Sequence, residues 1–255
     1  MIITITNQKG GIGKTTTAHT MAAGLAKKGF RVLAIDADPQ TNLSYASGLK
    51  KPVSSLYEVL TGERKAAEAI TTTNSGFDLL PGNIALVRAE TALTKPDGKP
   101  DRKRLLYALK AVSEDYDYII IDTPPALGVL TANALTASDC VIIPMGADIF
   151  SMQGLSQLQG MISNAKRDNP ELYIDGLLLT RFTLRTVINR QLKKDLERVA
   201  SRLNTRVYKA QIREATAVKE CQLMQTDLFS EYPKANVTKD YTAFIDEFLK
   251  GRKKQ

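Results

Sequence analysis

Apolar residues come in short, nearly unbroken runs, separated by stretches with a helical period. Residues 2–6 (IITIT), 31–36 (RVLAID), 117–122 (DYIIID), 139–144 (DCVIIP) and 172–179 (LYIDGLLL) read as five strands rich in Ile, Val and Leu. Residues 14–28, 102–114, 127–136, 151–167 and 186–203 carry the spacing of helices, and Gly29 follows the first where a helix end favours glycine. Strands without polar alternation are buried on both faces. The pattern therefore predicts an α/β fold, a three-layer sandwich whose mostly parallel, twisted sheet is covered by helices on both sides. Between residues 50 and 100 the signal weakens to short helices near 54–60 and 83–91, a strand at 77–80 and the loop TKPDGKPDRK. No repeat, low-complexity tract or linker interrupts the series, so residues 1–255 are expected to form one domain.

At 43% hydrophobic and 24% charged, the composition is that of a globular protein. No stretch approaches the ~18 apolar residues of a membrane span. The N-terminus reads straight into a strand, without the basic start and cleavage site of a signal peptide. Cys140 and Cys221 form no CxxC pair and His19 is the one histidine, which disfavours a disulfide framework or a zinc site and makes a reducing cytoplasm the expected setting. The net charge of +8 is unevenly spread: eleven of the 35 basic residues lie between Arg181 and Lys219, against three of the 27 acidic ones. Within the helix expected at 186–203, Arg190, Lys194, Arg198 and Arg202 recur every four residues on one face, and Ile188, Leu192, Leu196 and Leu203 mark another. One such basic stripe is ordinarily a solvated surface. Extended by Arg181, Arg185, Arg206, Lys209 and Arg213, it suits sequence-independent, salt-sensitive contact with the phosphates of double-stranded DNA.

The turn after the first strand carries the clearest chemistry. Lys9-Gly10-Gly11-Ile12-Gly13-Lys14-Thr15-Thr16 joins a strand to a helix, where free backbone N–H groups and the helix dipole converge on an anion. Glycines let the backbone approach phosphate closely. Lys14 is placed to reach the β- and γ-phosphates and the Thr15 hydroxyl to ligate Mg²⁺. The strict P-loop pattern asks for glycine where this chain has Gln8. Asp122 ends DYIIID before Thr123-Pro124-Pro125, as a Walker-B carboxylate that holds Mg²⁺ does. Asp36 and Asp38 end the second strand in IDADPQ, on the same ligand-binding edge of a parallel sheet, which makes Asp36 a further candidate for the metal site with Thr15 and Asp122; a helix cap or turn role is the alternative. Thr180-Arg181 and an expected turn at Gln211-Ile212-Arg213 sit where an adenine ring could lodge.

KGGIGKTT with its leading lysine, IDADPQ and IIIDTPP together resemble the deviant Walker A ATPases of the ParA/MinD type. The early start of the first strand and the LSQL segment are most similar to the short ParA/Soj partition ATPases of chromosomes and plasmids. The resemblance implies slow ATP hydrolysis with Mg²⁺, in a homodimer that sandwiches ATP. It implies that Lys9 reaches across the dimer to the partner's nucleotide, that Asp38 positions the attacking water, and that Asp36 shares its switch segment. It further implies binding of non-specific DNA, in which Arg185 and Arg213 take part, release by a ParB-type partner, and a cytoplasmic, nucleoid-associated location. Family members often have glycine after DPQ; Thr41 stands there, a departure expected to alter the first switch loop without touching Asp38.

Two alternatives stay open. MinD-type proteins end in an amphipathic membrane-targeting helix, and DYTAFIDEFLKGRKKQ has Tyr241, Phe244, Ile245, Phe248 and Leu249 on one face. Asp240, Asp246 and Glu247 on its polar face would be repelled by anionic lipid, so docking onto the sheet, with no membrane, is expected. A P-loop enzyme acting on a small substrate, such as a synthetase or kinase, is the other; no acceptor site for one is recognisable. His19, Cys140 and Cys221 read as packing residues.

Overall fold

The computed structural model describes residues 1–49, 52–146, 150–182 and 187–252, leaving aside the side chains of 150–154 and 187–194. Eight strands form one sheet: β1 (Ile2–Ile5), β2 (Val32–Asp36), β3 (Thr71–Thr72), β4 (Asp78–Leu80), β5 (Tyr118–Asp122), β6 (Cys140–Gly146), β7 (Tyr173–Phe182) and β8 (Val207–Arg213). Their order is β3-β4-β2-β5-β1-β6-β7-β8. All neighbours run parallel except the short edge pair β3–β4.

Successive strand residues point to opposite faces, which divides the core. Ile3, Ile5, Val32, Ala34, Ile120, Ile142, Leu178 and Tyr208 point to one face. There they meet α1 (Lys14–Lys27) and α12 (Asn236–Arg252), which contributes Tyr241, Phe244, Ile245 and Phe248. The opposite face is built in two parts. Leu33, Ile35, Ile119 and Ile121 pack against α3 (Leu56–Thr61), α6 (Arg104–Leu109) and α7 (Val129–Ala137). Val141, Ile143, Leu177 and Leu179 pack against α8 (Phe150–Ala165) and α9 (Val187–Arg202). Three layers result, as the runs of Ile, Val and Leu predict.

The shorter elements depart from the sequence pattern. The region expected to be helical at 83–91 is a 3-10 turn over Ile84–Arg88 followed by α5 (Ala89–Ala92). The helix expected at 102–114 is cut to α6 and a 3-10 turn at Ser113–Asp115. Three short helices have no counterpart in the pattern: α2 (Asn42–Ala46), α4 (Ala66–Ala69) and α11 (Leu228–Glu231). Gln211-Ile212-Arg213 is not a turn but the end of β8, paired with the end of β7. Beyond it runs α10 (Thr216–Met224), where the buried Cys221 lies. The apolar face of α12 is consumed by the core: Phe244 and Phe248 are fully buried, and the helix packs on β8 and α1. Among the described residues no helix is long and apolar enough to cross a membrane.

Candidate functional site

In a parallel sheet the strand ends and helix starts share one edge, so β1, β2, β5, β7 and β8 deliver their last residues to the same place. The loop from β1 to α1 curls back on itself. Gly11 and Gly13 adopt φ of 71° and 85°, left-handed conformations that strain most side chains. The Lys14 ammonium donates to the Lys9 carbonyl at 2.9 Å, across the mouth of the loop. Burial lowers the pKa of Lys14, while Asp122 and Asp38 pull it upward. From the end of β7, the Thr180 hydroxyl donates to the Ile12 carbonyl at 2.7 Å and the Arg181 guanidinium to the Gly11 carbonyl at 2.9 Å. Glu214 holds the other arm of Arg181 at 2.7 Å.

Asp122 lies beneath this loop, fully buried, and neither carboxylate oxygen has a hydrogen-bond partner. Burial pushes its pKa well above the usual carboxylate range and Asp36 adds to that; the nearby Thr15 hydroxyl and Lys14 act the other way. A buried carboxylate without partners is costly. A divalent cation beside it would remove the cost, and the hydroxyl of Thr15 and the oxygens of Asp122 are the hard donors that Mg²⁺ takes. The residues fit the ion.

Asp36 is arranged differently. One oxygen accepts both the amide (2.8 Å) and the hydroxyl (2.6 Å) of Ser44, and the other accepts the Asp38 amide at 3.2 Å. Burial raises its pKa to about 6 against these hydrogen bonds. Both oxygens of this predicted metal-site residue are thus engaged by protein donors. Asp38 accepts the Gln40 amide at 2.9 Å and faces the cleft. Thr41 holds φ of 56°, so a β-branched residue sits in left-handed backbone, where glycine would be unstrained, at the head of α2.

The cleft above these groups has a volume of about 760 Å³, a size suited to a small-molecule ligand. Of the residues predicted to hold nucleotide, Gly10, Gly11, Gly13, Lys14, Thr15, Thr16 and Arg181 line it, while Ile12 is buried below the loop. Ile212, Ala215, Val218 and Leu223 give its far wall an apolar surface. Thr180, expected near an adenine ring, instead fastens the loop through Ile12, and sequence reasoning missed Ser44, Glu214 and Gln222, whose side-chain amide donates to the Thr16 hydroxyl at 3.2 Å. None belongs to a motif; only the fold brings them to the loop.

The predicted DNA-binding residues fare unevenly. Arg185 lies outside the described residues, as do the side chains of Arg190 and Lys194. Arg198 pairs with Asp195 at 3.1 Å, Arg202 is exposed, and Arg213 grips Asp240 with two arms at 2.6 and 2.9 Å. Arg206 reaches Asp175 at 3.0 Å. The expectation that acids are scarce around this segment needs correction, because Asp175 and Asp240 arrive from outside the 181–219 window.

Comparison with known proteins follows the same lines. A family model described as an AAA domain matches residues 1–174. The sporulation initiation inhibitor protein Soj of Bacillus subtilis is 42% identical over 215 residues, 83% of either chain. The chromosome partitioning protein ParA of Myxococcus xanthus is 36% identical over 253 residues, 98% of this chain and 88% of its own. The chain belongs to the ParA/Soj-type P-loop ATPases. A crystal structure of cobyrinic acid a,c-diamide synthase from Mycobacterium smegmatis with bound ADP and magnesium is also similar. It has a TM-score of 0.85 and 34% identity, covering 99% of this chain and 95% of that one.

Proposed function

We propose that the protein is an ATP-dependent switch for DNA partition, and that residues 1–255 act as one domain. ATP and Mg²⁺ occupy the cleft, two subunits close on them, and the closed dimer holds non-specific double-stranded DNA until a ParB-type partner triggers hydrolysis. The observation that carries the nucleotide site is the partnerless carboxylate of Asp122 beside Lys14 and Thr15, beneath a loop that opens into the cleft.

Phosphoryl transfer is catalysed mainly by positioning and charge neutralisation. Lys14 meets the β- and γ-phosphates, and Lys9 adds a second positive charge from the partner subunit. Asp38 orients the attacking water. Thr15 and Asp122 hold Mg²⁺, with Asp36 behind them; when bound, the ion offsets the charge shared by the phosphates. Besides Asp38, the carboxylate lining the cleft among the described residues is Glu214, which is tied to Arg181, so intrinsic hydrolysis is slow, as a switch requires. Cytoplasmic, nucleoid-associated residence follows from this role.

A second reading is favoured by one observation, the likeness to cobyrinic acid a,c-diamide synthase. It predicts ATP-dependent formation of the a,c-diamide of cobyrinic acid. The partition reading is supported instead by the identity to Soj and ParA over most of the chain. The site itself is tested by substitution. Lys14→Ala should weaken ATP binding on the order of 10²-fold, and Asp38→Ala should keep ATP binding while kcat falls about 10²–10³-fold. Wild-type turnover in Asp38→Ala would remove that residue from the mechanism.

A further inference from the structure

One hydrogen-bonded chain in the site has no place in the P-loop chemistry above. Ser44, 2% exposed on α2, donates its hydroxyl to one Asp36 oxygen at 2.6 Å and its amide to the same oxygen at 2.8 Å. The other Asp36 oxygen accepts the amide of Asp38. From the opposite side, the Gly82 amide donates to the Ser44 hydroxyl oxygen at 3.0 Å. The hydroxyl thus accepts from Gly82 and donates to Asp36, which orients its one proton. Gly82 sits so close that a Cβ there would lie 2.8 Å from the Asp36 carbonyl and 3.3 Å from that of Asp38. The backbone carrying Asp38 is therefore clamped between α2 and the loop after β4.

Asp38 gains no comparable support of its own. Among the described residues its carboxylate accepts one hydrogen bond, from the Gln40 amide, and the following Thr41 is held in left-handed backbone. The direction in which Asp38 enters the cleft is set by how Asp36 holds its amide, and Asp36 is held by Ser44. We infer that Ser44 is a positioning residue for hydrolysis: locked by Gly82, it fixes Asp36 and through it the aim of Asp38 at the attacking water. This rests on the ATPase reading given above. It assigns Asp36 a role as a rigid bracket between α2 and the Asp38 amide.

The inference separates aim from binding. Ser44 does not line the cleft and Lys14, Thr15 and Asp122 do not touch it, so its loss should leave nucleotide affinity in place. The test uses the full chain with Mg²⁺-ATP and Mg²⁺-ADP. Ser44→Ala should lower kcat at least 10-fold while KM for ATP and the Kd for ADP change less than two-fold; Ser44→Thr, which keeps the hydroxyl, should restore kcat to within about three-fold of wild type. Gly82→Ala, whose new methyl group presses on the Asp36 and Asp38 carbonyls, should show the same split with no hydroxyl removed. Wild-type kcat in both Ser44→Ala and Gly82→Ala would overturn the inference. So would a parallel loss of kcat and ADP affinity, which marks a merely structural role. If the unmutated protein bound ATP and showed no hydrolysis, the ATPase reading would fall first, independently of Ser44.

Discussion

At the residue scale, two buried titratable groups push stability in opposite directions over the same pH range. His19 is buried edge-on against Phe77, with ring centroids 5.6 Å apart, and burial lowers its pKa to about 4. The unfolded chain binds a proton there near pH 6.5 and the folded chain does not, so stability is lost as pH falls from 6.5 to 4. Asp36, raised to about 6, works in the opposite sense. Its contribution is present at low pH and is lost as pH rises through 6. His19→Phe should therefore gain stability relative to wild type on acidification, on the order of 3 kcal/mol by pH 4, read from urea unfolding of the nucleotide-free protein. An identical pH profile in both proteins would refute it. The candidate site residues were legible because their chemistry is written in local motifs: a glycine-rich turn after a strand, and aspartates closing apolar runs. Ser44 was not, since a serine eight positions after Asp36 carries no signal until α2 folds it back.

At the element scale, long apolar runs announced β1, β2, β5, β6 and β7, and their near-absence of polar positions gave away the parallel sheet. β8 escaped because it is an edge strand, where Lys209 and Arg213 face solvent and break the apolar run. The short α2 and α4 escaped because four or five residues cannot display a period. The C-terminal helix shows how packing resolves a sequence ambiguity. Its aromatic face could equally suit a lipid surface, yet Phe244 packs against Tyr208 with ring centroids 4.9 Å apart, inside the core. Asp175 gathers Arg206, Arg252 and the Tyr208 hydroxyl, tying the end of the helix to β7 and β8. Phe244→Ala should cost about 3–5 kcal/mol of folding stability. A loss under 1 kcal/mol, with liposome binding abolished, would show that the helix leaves the core for a membrane.

At the scale of the whole molecule, charge is what the sequence represented least faithfully. A window along the chain counts neighbours in sequence, whereas Arg206 and Arg213 meet acids from β7 and α12. The unpaired basic surface is accordingly narrower than the run from Arg181 to Lys219 suggests, with Arg202 and Lys209 among its exposed members. Dimer closure would bring two such surfaces to one duplex, so affinity should depend on nucleotide as well as salt. The direct test is fluorescence anisotropy of a labelled random-sequence duplex with Asp38→Ala protein, in Mg²⁺-ATP and in Mg²⁺-ADP, across 50 to 200 mM NaCl. The partition-switch account predicts binding with ATP that weakens at least 10-fold over that range and is lost with ADP. Equal binding with both nucleotides, or binding indifferent to salt, would contradict it.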